Sequence, residues 1–326
     1  MTHSRYRAVA ASALHLTAGT LLLAAGMLAG CEPRRAAGQQ VTDSLFVGNV
    51  GPPAYASGRG PVVLLDEAHH NFHTAGGRFL AFANLLRRDG YTVRPQRGPF
   101  TRAALDSAQV LVVANALAAQ NEEDWFLPTP SAFTAAEIAV VRDWVRDGGA
   151  LWLVADHMPF PGAADSLAAA FGVLFANGFA LDAAAENGNF RFSRADGSLA
   201  RHPVTEGRNA AEHVDSVMAF TGQAFRLRGP GQALLTLGEG TVLLMPEEAW
   251  QFSRRTPRLS AAGLLQGAVL EFGRGRCACF GEAAMLTAQL AGPQRRPTGM
   301  NDPAAPQNAQ FALNVAHWLS RAPGTQ

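Results

Sequence analysis

The chain is predicted to fold as an α/β protein on a mostly parallel sheet with helices on both faces. Three observations point there. The runs Val62 to Leu65, Val110 to Ala114 and Ala150 to Ala155 are apolar throughout, without the alternation of a half-solvated sheet, and so read as strands buried on both sides. Segments with apolar residues at helical spacing lie between them, and cap or turn residues stand at the joints.

The elements follow in order from Pro61, where the folded domain is expected to begin; it runs to about Ala322. After the strand Val62 to Leu65, the stretch Gly76 to Asp89 carries Phe79, Phe82 and Leu86 on one helical face and stops at Gly90. Tyr91 to Arg94 and Val110 to Ala114 are the next strands. Thr134-Ala135-Ala136-Glu137 is a capping box, in which the threonine and glutamate side chains satisfy each other's backbone N–H groups. It opens a helix that turns Ile138, Val141 and Val145 inward and ends at Gly148-Gly149. Ala150 to Ala155 is the fourth strand and Ala163 to Phe171 the next helix.

Residues 177–231 hold no period and are read as an irregular insertion or a run of short edge elements. Ala233 to Leu237 and Val242 to Met245 are strands. Ala268 to Phe272 and Arg276 to Phe280 form a late β-hairpin around the three-residue loop Gly273-Arg274-Gly275. A final helix, Asn308 to Leu319, places Phe311, Ala312, Val315 and Leu319 on one face.

Residues 1–30 have the form of a lipoprotein signal peptide. Arg5 and Arg7 precede an Ala/Leu-rich stretch from Ala8 to Ala25, and Leu28-Ala29-Gly30-Cys31 resembles a bacterial lipobox. Cleavage before Cys31 would leave that cysteine to carry lipid and tie the chain to a membrane on the periplasmic side of the cell envelope. An uncleaved membrane span is the competing reading. Residues 31–60, rich in Pro, Gly, Ala and Gln, are expected to be a disordered tether.

The formal net charge is +1 and all 27 basic residues are arginine. Without a clustered basic face, nucleic acid is not expected as a partner, and without lysine there is no Schiff-base chemistry. Cys277 and Cys279 alternate on one strand, which puts both on the same face in poor geometry for a disulfide. They read as small buried residues.

In an open α/β sheet, ligands bind beyond the carboxyl ends of the strands. Asp66, Glu67, His69, His70, Asn71 and His73 follow the first strand, Asn115 the third, Asp156 and His157 the fourth, and Glu282 the hairpin, while Asn301 lies before the last helix. Four uses are open. His69, His73, Asp156 and His157 could ligate a divalent metal such as zinc, with Glu67 or Glu282 as base. Carboxylate and imidazole pairs could do metal-free acid/base work, although neither G-x-S-x-G nor G-x-C-x-G occurs. The rim could bind a small polar or carbohydrate ligand, with Trp125 and Trp250 as stacking faces, or it could only lock its own loops. Residues 116–131 are a candidate lid over it.

Asp66-Glu67-Ala68-His69-His70-Asn71, Gly148-Gly149 before Leu151-Trp152-Leu153-Val154-Ala155-Asp156-His157, Phe280-Gly281-Glu282-Ala283 and Asn314-Val315-Ala316-His317-Trp318-Leu319 together resemble an uncharacterised bacterial lipoprotein family. It belongs to the class I glutamine amidotransferase-like superfamily, like related domains in gliding-motility and intraflagellar-transport proteins. The resemblance spans most of residues 61–321. It implies a flavodoxin-like three-layer sandwich and no particular activity. True amidotransferases place a nucleophilic cysteine at a strand-to-helix elbow, where this chain has Asp156-His157, so glutamine hydrolysis is not expected. Non-catalytic relatives in the superfamily imply ligand or carbohydrate binding.

Overall fold

A computed structural model describes residues 40–185 and 188–325. Its first elements are β1 (Gln40–Thr42), β2 (Val62–Asp66), helix α1 (Leu80–Arg88), β3 (Thr92–Gln96), the one-turn α2 (Arg102–Leu105), β4 (Val110–Ala114), α3 (Ala135–Arg146), β5 (Ala150–Val154) and α4 (Phe160–Ala169). Short strands follow: β6 (Val173–Phe175), β7 (Phe179–Asp182) and β8 (Phe190–Ser193), then α5 (Pro203–Glu206), β9 (Ser216–Ala219) and β10 (Phe225–Leu227). The chain closes with β11 (Gln232–Thr236), β12 (Thr241–Leu244), β13 (Arg258–Ser260), β14 (Leu265–Phe272), β15 (Gly275–Phe280), β16 (Ala288–Ala291), β17 (Arg296–Gly299) and α6 (Asn308–Ser320).

A nine-stranded sheet in the order β3-β2-β4-β5-β15-β14-β10-β6, with β11 also on β14, organises the domain. The strands β3, β2, β4, β5 and β15 run parallel, and from β14 onward the pairing is antiparallel. The sheet is therefore mixed rather than mostly parallel. Smaller antiparallel sheets, β1-β16-β17, β13-β12-β7 and β8-β9, surround it.

The central strands are buried on both sides because each face carries its own apolar layer. Trp152, Val154, Ala278 and Phe280 face Phe82, Leu86, Phe311 and Val315 of α1 and α6. Leu151, Leu153, Cys277 and Cys279 face Val141, Trp144, Phe160 and Leu167 of α3 and α4. The capping box of α3 forms as expected, with Thr134 and Glu137 as reciprocal partners.

Several expectations need correction. Helix α1 starts four residues later than its periodicity suggests, because residues 74–79 form turns in which the N–H groups of Gly77 and Phe79 both reach the Thr74 carbonyl. The β14–β15 turn holds two residues, since Gly275 already pairs with Phe272. A Cβ at Gly275 would collide with the carbonyls of Val145 and Gly149, so this glycine serves close packing rather than the turn. Residues 177–231 hold the short strands β7 to β10 and helix α5, one of the two arrangements expected there, and β10 joins the large sheet between β14 and β6.

The tether expectation fails from Gln40 onward. Strand β1 pairs with β16, the N–H of Ala54 donates to Asp89, and the Tyr55 ring meets Tyr91 edge-on at 5.2 Å. Anchors this sparse leave no hydrophobic period to read. The signal peptide, Cys31 and the start of the tether lie outside the described residues. Among the described residues, no helix is long and apolar enough to cross a membrane.

Candidate functional site

The strand-end residues separate into two assemblies. The first is a lock around His69. Its Nδ1 lies 2.9 Å from both Asp66 carboxylate oxygens and its Nε2 lies 3.0 Å from Oε1 of Glu137. The ring sits between Phe100 and Phe133, at 4.6 and 4.7 Å. Burial opposes a charge on this ring, but Asp66 and Glu137 outweigh it and raise the pKa above the ordinary histidine value. For Glu137, burial acts upward, while the Thr134 N–H and hydroxyl, His69 and the Phe100 N–H bring the carboxyl down to about 2.

Asp66 also accepts from the Ala68 N–H and the Asn71 amide, and Asn71 accepts from the His69 N–H. Glu67 accepts from the Ala75 N–H and from Arg97. His70, at a φ of 46°, meets Glu122 at 2.7 Å on the surface. These contacts fold the loop after β2 and leave no lone pair on His69 for a metal.

The second assembly joins His73, Asn115, Asp156 and His157. Asn115 sits at the end of β4 with a φ of 50°, a left-handed geometry that asparagine tolerates better than most residues. Its Oδ1 accepts from the Asp156 N–H at 2.9 Å, which fixes which end of the amide is which. The Nδ2 group therefore donates to Nδ1 of His73 at 3.1 Å. Burial, with the Arg78 and His157 charges added, lowers the His73 pKa to about 3, so the ring is neutral and carries its proton on Nε2.

His157 is held the opposite way round. Its Nδ1 lies 2.7 Å from the Met158 carbonyl, a contact only an N–H can make, so in the neutral ring Nε2 is the acceptor. The ring stacks on Phe179 at 4.5 Å and 11°. Trp250 packs against it at 4.7 Å, with Phe160 and Trp125 at 5.7 and 5.9 Å. Trp250 remains 49% exposed, so this aromatic seat opens to solvent.

Asp156 accepts from the His157 and Ala283 N–H groups. Glu282 is fully buried beneath it and accepts from the Ala284 and Met285 N–H groups at 2.7 Å. Burial, with the Asp156 charge added, raises its pKa well above the ordinary value. Glu282 caps a turn and does not reach the surface. Asn301 stands apart from the rim, where its amide ties Asp43 to the Gln289 carbonyl.

His69, His73, Asp156 and His157 do not come together as one ligand set among the described residues. His69 has both nitrogens engaged with carboxylates, Nδ1 of His73 accepts from Asn115, and among the described residues no three His, Cys, Asp or Glu side chains are placed to hold a metal. The cysteines offer no substitute nucleophile. Burial pushes the Cys279 thiol up to about 12, and raises Cys277 well above its ordinary value with Cys279 adding to the effect. The candidate lid is pinned: Phe126 bridges to Glu248, the Leu127 N–H donates to Glu247 and the Ala249 N–H to Trp125.

Sequence reasoning missed Glu137, Phe179 and Arg78. Glu137 carried a visible signal, but as a helix cap, and nothing in its spacing linked it to His69. Arg78 lies between Gly77 and Phe79, where only the fold brings it to the rim.

No protein-family model and no curated protein matches the chain. Among solved structures it is similar to the mmIFT52 N-terminal domain, at 13% identity and a TM-score of 0.56, covering 79% of this chain and 97% of that one. Putative ThuA-like proteins are weaker neighbours. That of Bacteroides uniformis has 12% identity and a TM-score of 0.42, covering 82% and 95%; that of Parabacteroides merdae has 13% and 0.43, covering 82% and 92%. At these identities the first likeness shows the fold alone.

Proposed function

We propose that the chain is a binding domain for a small polar ligand of carbohydrate type, with no amidotransferase chemistry. The observation that carries this reading is the seat of His157. Its ring is fixed by the Met158 carbonyl and stacked on Phe179, and half-exposed Trp250 lies beside it. An apolar face next to a few oriented polar groups is the usual composition of a saccharide or small-molecule site. The lack of a reactive thiol at a strand end supports binding over acyl transfer.

A hydrolase using the Asp156–Glu282 pair is the second reading, favoured by a carboxyl whose pKa is raised beside a second carboxylate. The full burial of Glu282 and its two backbone donors weigh against it. For the framework we propose the flavodoxin-like, amidotransferase-like sandwich, supported by the order β3-β2-β4-β5 of the first parallel strands. We also propose lipid anchoring through Cys31 on the extracytoplasmic side, resting on residues 1–31 alone. Mass spectrometry of the mature N-terminus tests it, and an intact Met1 form would refute it.

Binding is tested by titrating neutral and acidic mono- and oligosaccharides against tryptophan fluorescence. Trp250→Ala is expected to weaken binding about tenfold, the scale of one aromatic contact. A panel in which no saccharide alters the emission would end the carbohydrate reading.

A further inference from the structure

Arg78 is a half-buried cation without an acid. Its Nη1 donates to the side-chain oxygens of Gln289 at 2.9 Å and Gln40 at 3.2 Å, and its guanidinium lies 4.3 Å above the Phe72 ring. No carboxylate pairs with it among the described residues. Other partly buried arginines here do find one: Arg208 binds Glu212 and Arg194 binds Glu206. Partial burial already lowers the Arg78 pKa, a sign that the charge is being held away from water. An uncompensated charge in that setting is costly and is the kind of group an anionic ligand would neutralise.

Its surroundings point the same way. Phe72 beneath the guanidinium touches the rings of His73 at 5.5 Å and Trp125 at 5.3 Å, and Trp125 leads on to His157 and Trp250. The corner thus presents, in sequence, a guanidinium, the Nε2–H donor of His73, the Nε2 acceptor of His157 and an open indole. His73 and His157 are both more than nine-tenths buried, and neither Nε2 has a hydrogen-bond partner among the described residues. Two donors fit an anion, an acceptor fits a hydroxyl and an indole fits the apolar face of a ring.

We infer that the ligand is an acidic saccharide of uronate type, its carboxylate taken by Arg78 and Nε2–H of His73 and a ring hydroxyl by Nε2 of His157. This rests on the carbohydrate reading above and adds the charge of the ligand and the residues that select it.

The test uses the protein with labelled histidine rings, titrated with glucuronate, methyl glucoside, acetate and inorganic phosphate while His73 and His157 are followed by NMR. Glucuronate is expected to bind at least about tenfold more tightly than methyl glucoside. Arg78→Gln should erase that difference and Arg78→Lys keep part of it, with unchanged melting of both variants confirming the fold. Equal binding of the two sugars, unaffected by Arg78→Gln, overturns the inference and leaves the carbohydrate reading standing. Acetate or phosphate shifting His73 through Arg78 while no sugar binds sustains the anion subsite and overturns the carbohydrate reading. If no probe shifts either ring, both fall. A free His73 ring found protonated on Nδ1 would also refute the donor assignment.

Discussion

Replacing His69 by alanine should be among the most damaging single changes near the rim, and its cost should depend on pH in a particular way. The ring ties two buried carboxylates through contacts of 2.9 and 3.0 Å, so truncation leaves Asp66 and Glu137 each without a charged donor and opens a gap between Phe100 and Phe133. Glu137 falls from 4.5 to about 2, worth about 3 kcal/mol over all its donors at ~1.4 kcal/mol per unit. His69 is one of several, so its share there is about 1 kcal/mol. Adding Asp66 and the lost packing gives about 3 kcal/mol, the low end for breaking a buried ion pair.

The pH dependence follows from the two shifts. The raised His69 pKa gives stability that is complete below the unfolded histidine value and is lost as pH rises through the folded one. The depressed Glu137 pKa gives stability present above the ordinary carboxyl value and lost as pH falls toward about 2. The penalty of His69→Ala should therefore peak between about pH 4.5 and 6.5 and shrink on both sides. Urea denaturation of wild type and variant across that range measures it. A penalty independent of pH, or one under about 1 kcal/mol at the peak, would refute an imidazolium held between two carboxylates.

Cys277 and Cys279, both fully buried, should resist thiol reagents at neutral pH in the native chain and react fully in denaturant; fast native labelling would contradict their burial. Gly275→Ala should cost about 3 kcal/mol or more, since its methyl group meets the carbonyl of Val145 in α3 and that of Gly149, which accepts from the Arg276 N–H of the hairpin; a melting temperature within a degree or so of wild type would show that this contact can relax. Asp89→Ala removes the partner of buried His317, 2.7 Å away, and the acceptor of the Ala54 N–H. It should destabilise the chain by about 3 kcal/mol and increase proteolysis in residues 40–60, whereas an unchanged cleavage pattern would separate that segment from the core.

What the sequence could show depended on the length of the pattern. The central parallel strands are unbroken apolar runs, helices α3 and α6 repeat one period long enough to be recognised, and the capping box at Thr134 and Glu137 is local by nature. Strands of three or four residues such as β8 and β9 have no such length, and they lie within the stretch read as an irregular insertion. Residues 40–60 add Phe46, Val50 and Tyr55 to the core one at a time, a spacing no period describes. The strand-end rule found His73, Asn115, Asp156 and His157 but neither Phe179 nor Arg78 beside them, because it asks only where a residue falls relative to a strand.

The same rule overstated the cluster after β2, and the geometry shows why. Three histidines within five positions meet three surroundings because the loop crosses the end of the sheet as it leaves the strand. His69 turns to the α3 side, where Phe100, Phe133 and Glu137 enclose it. His70 reverses the chain in a left-handed conformation. His73 emerges on the α1 side, 4.7 Å from Phe79, and there it meets Asn115 from β4. Neighbours in sequence are thus divided between a lock that holds the loop and the corner proposed to receive a ligand. The corner draws on three separate segments, and its chemistry comes from how each residue is fixed: an asparagine oriented by a backbone N–H, one imidazole made a donor, another made an acceptor, and an arginine with no acid among the described residues. None of these states belongs to a residue type, and each exists only after the strands have been placed side by side.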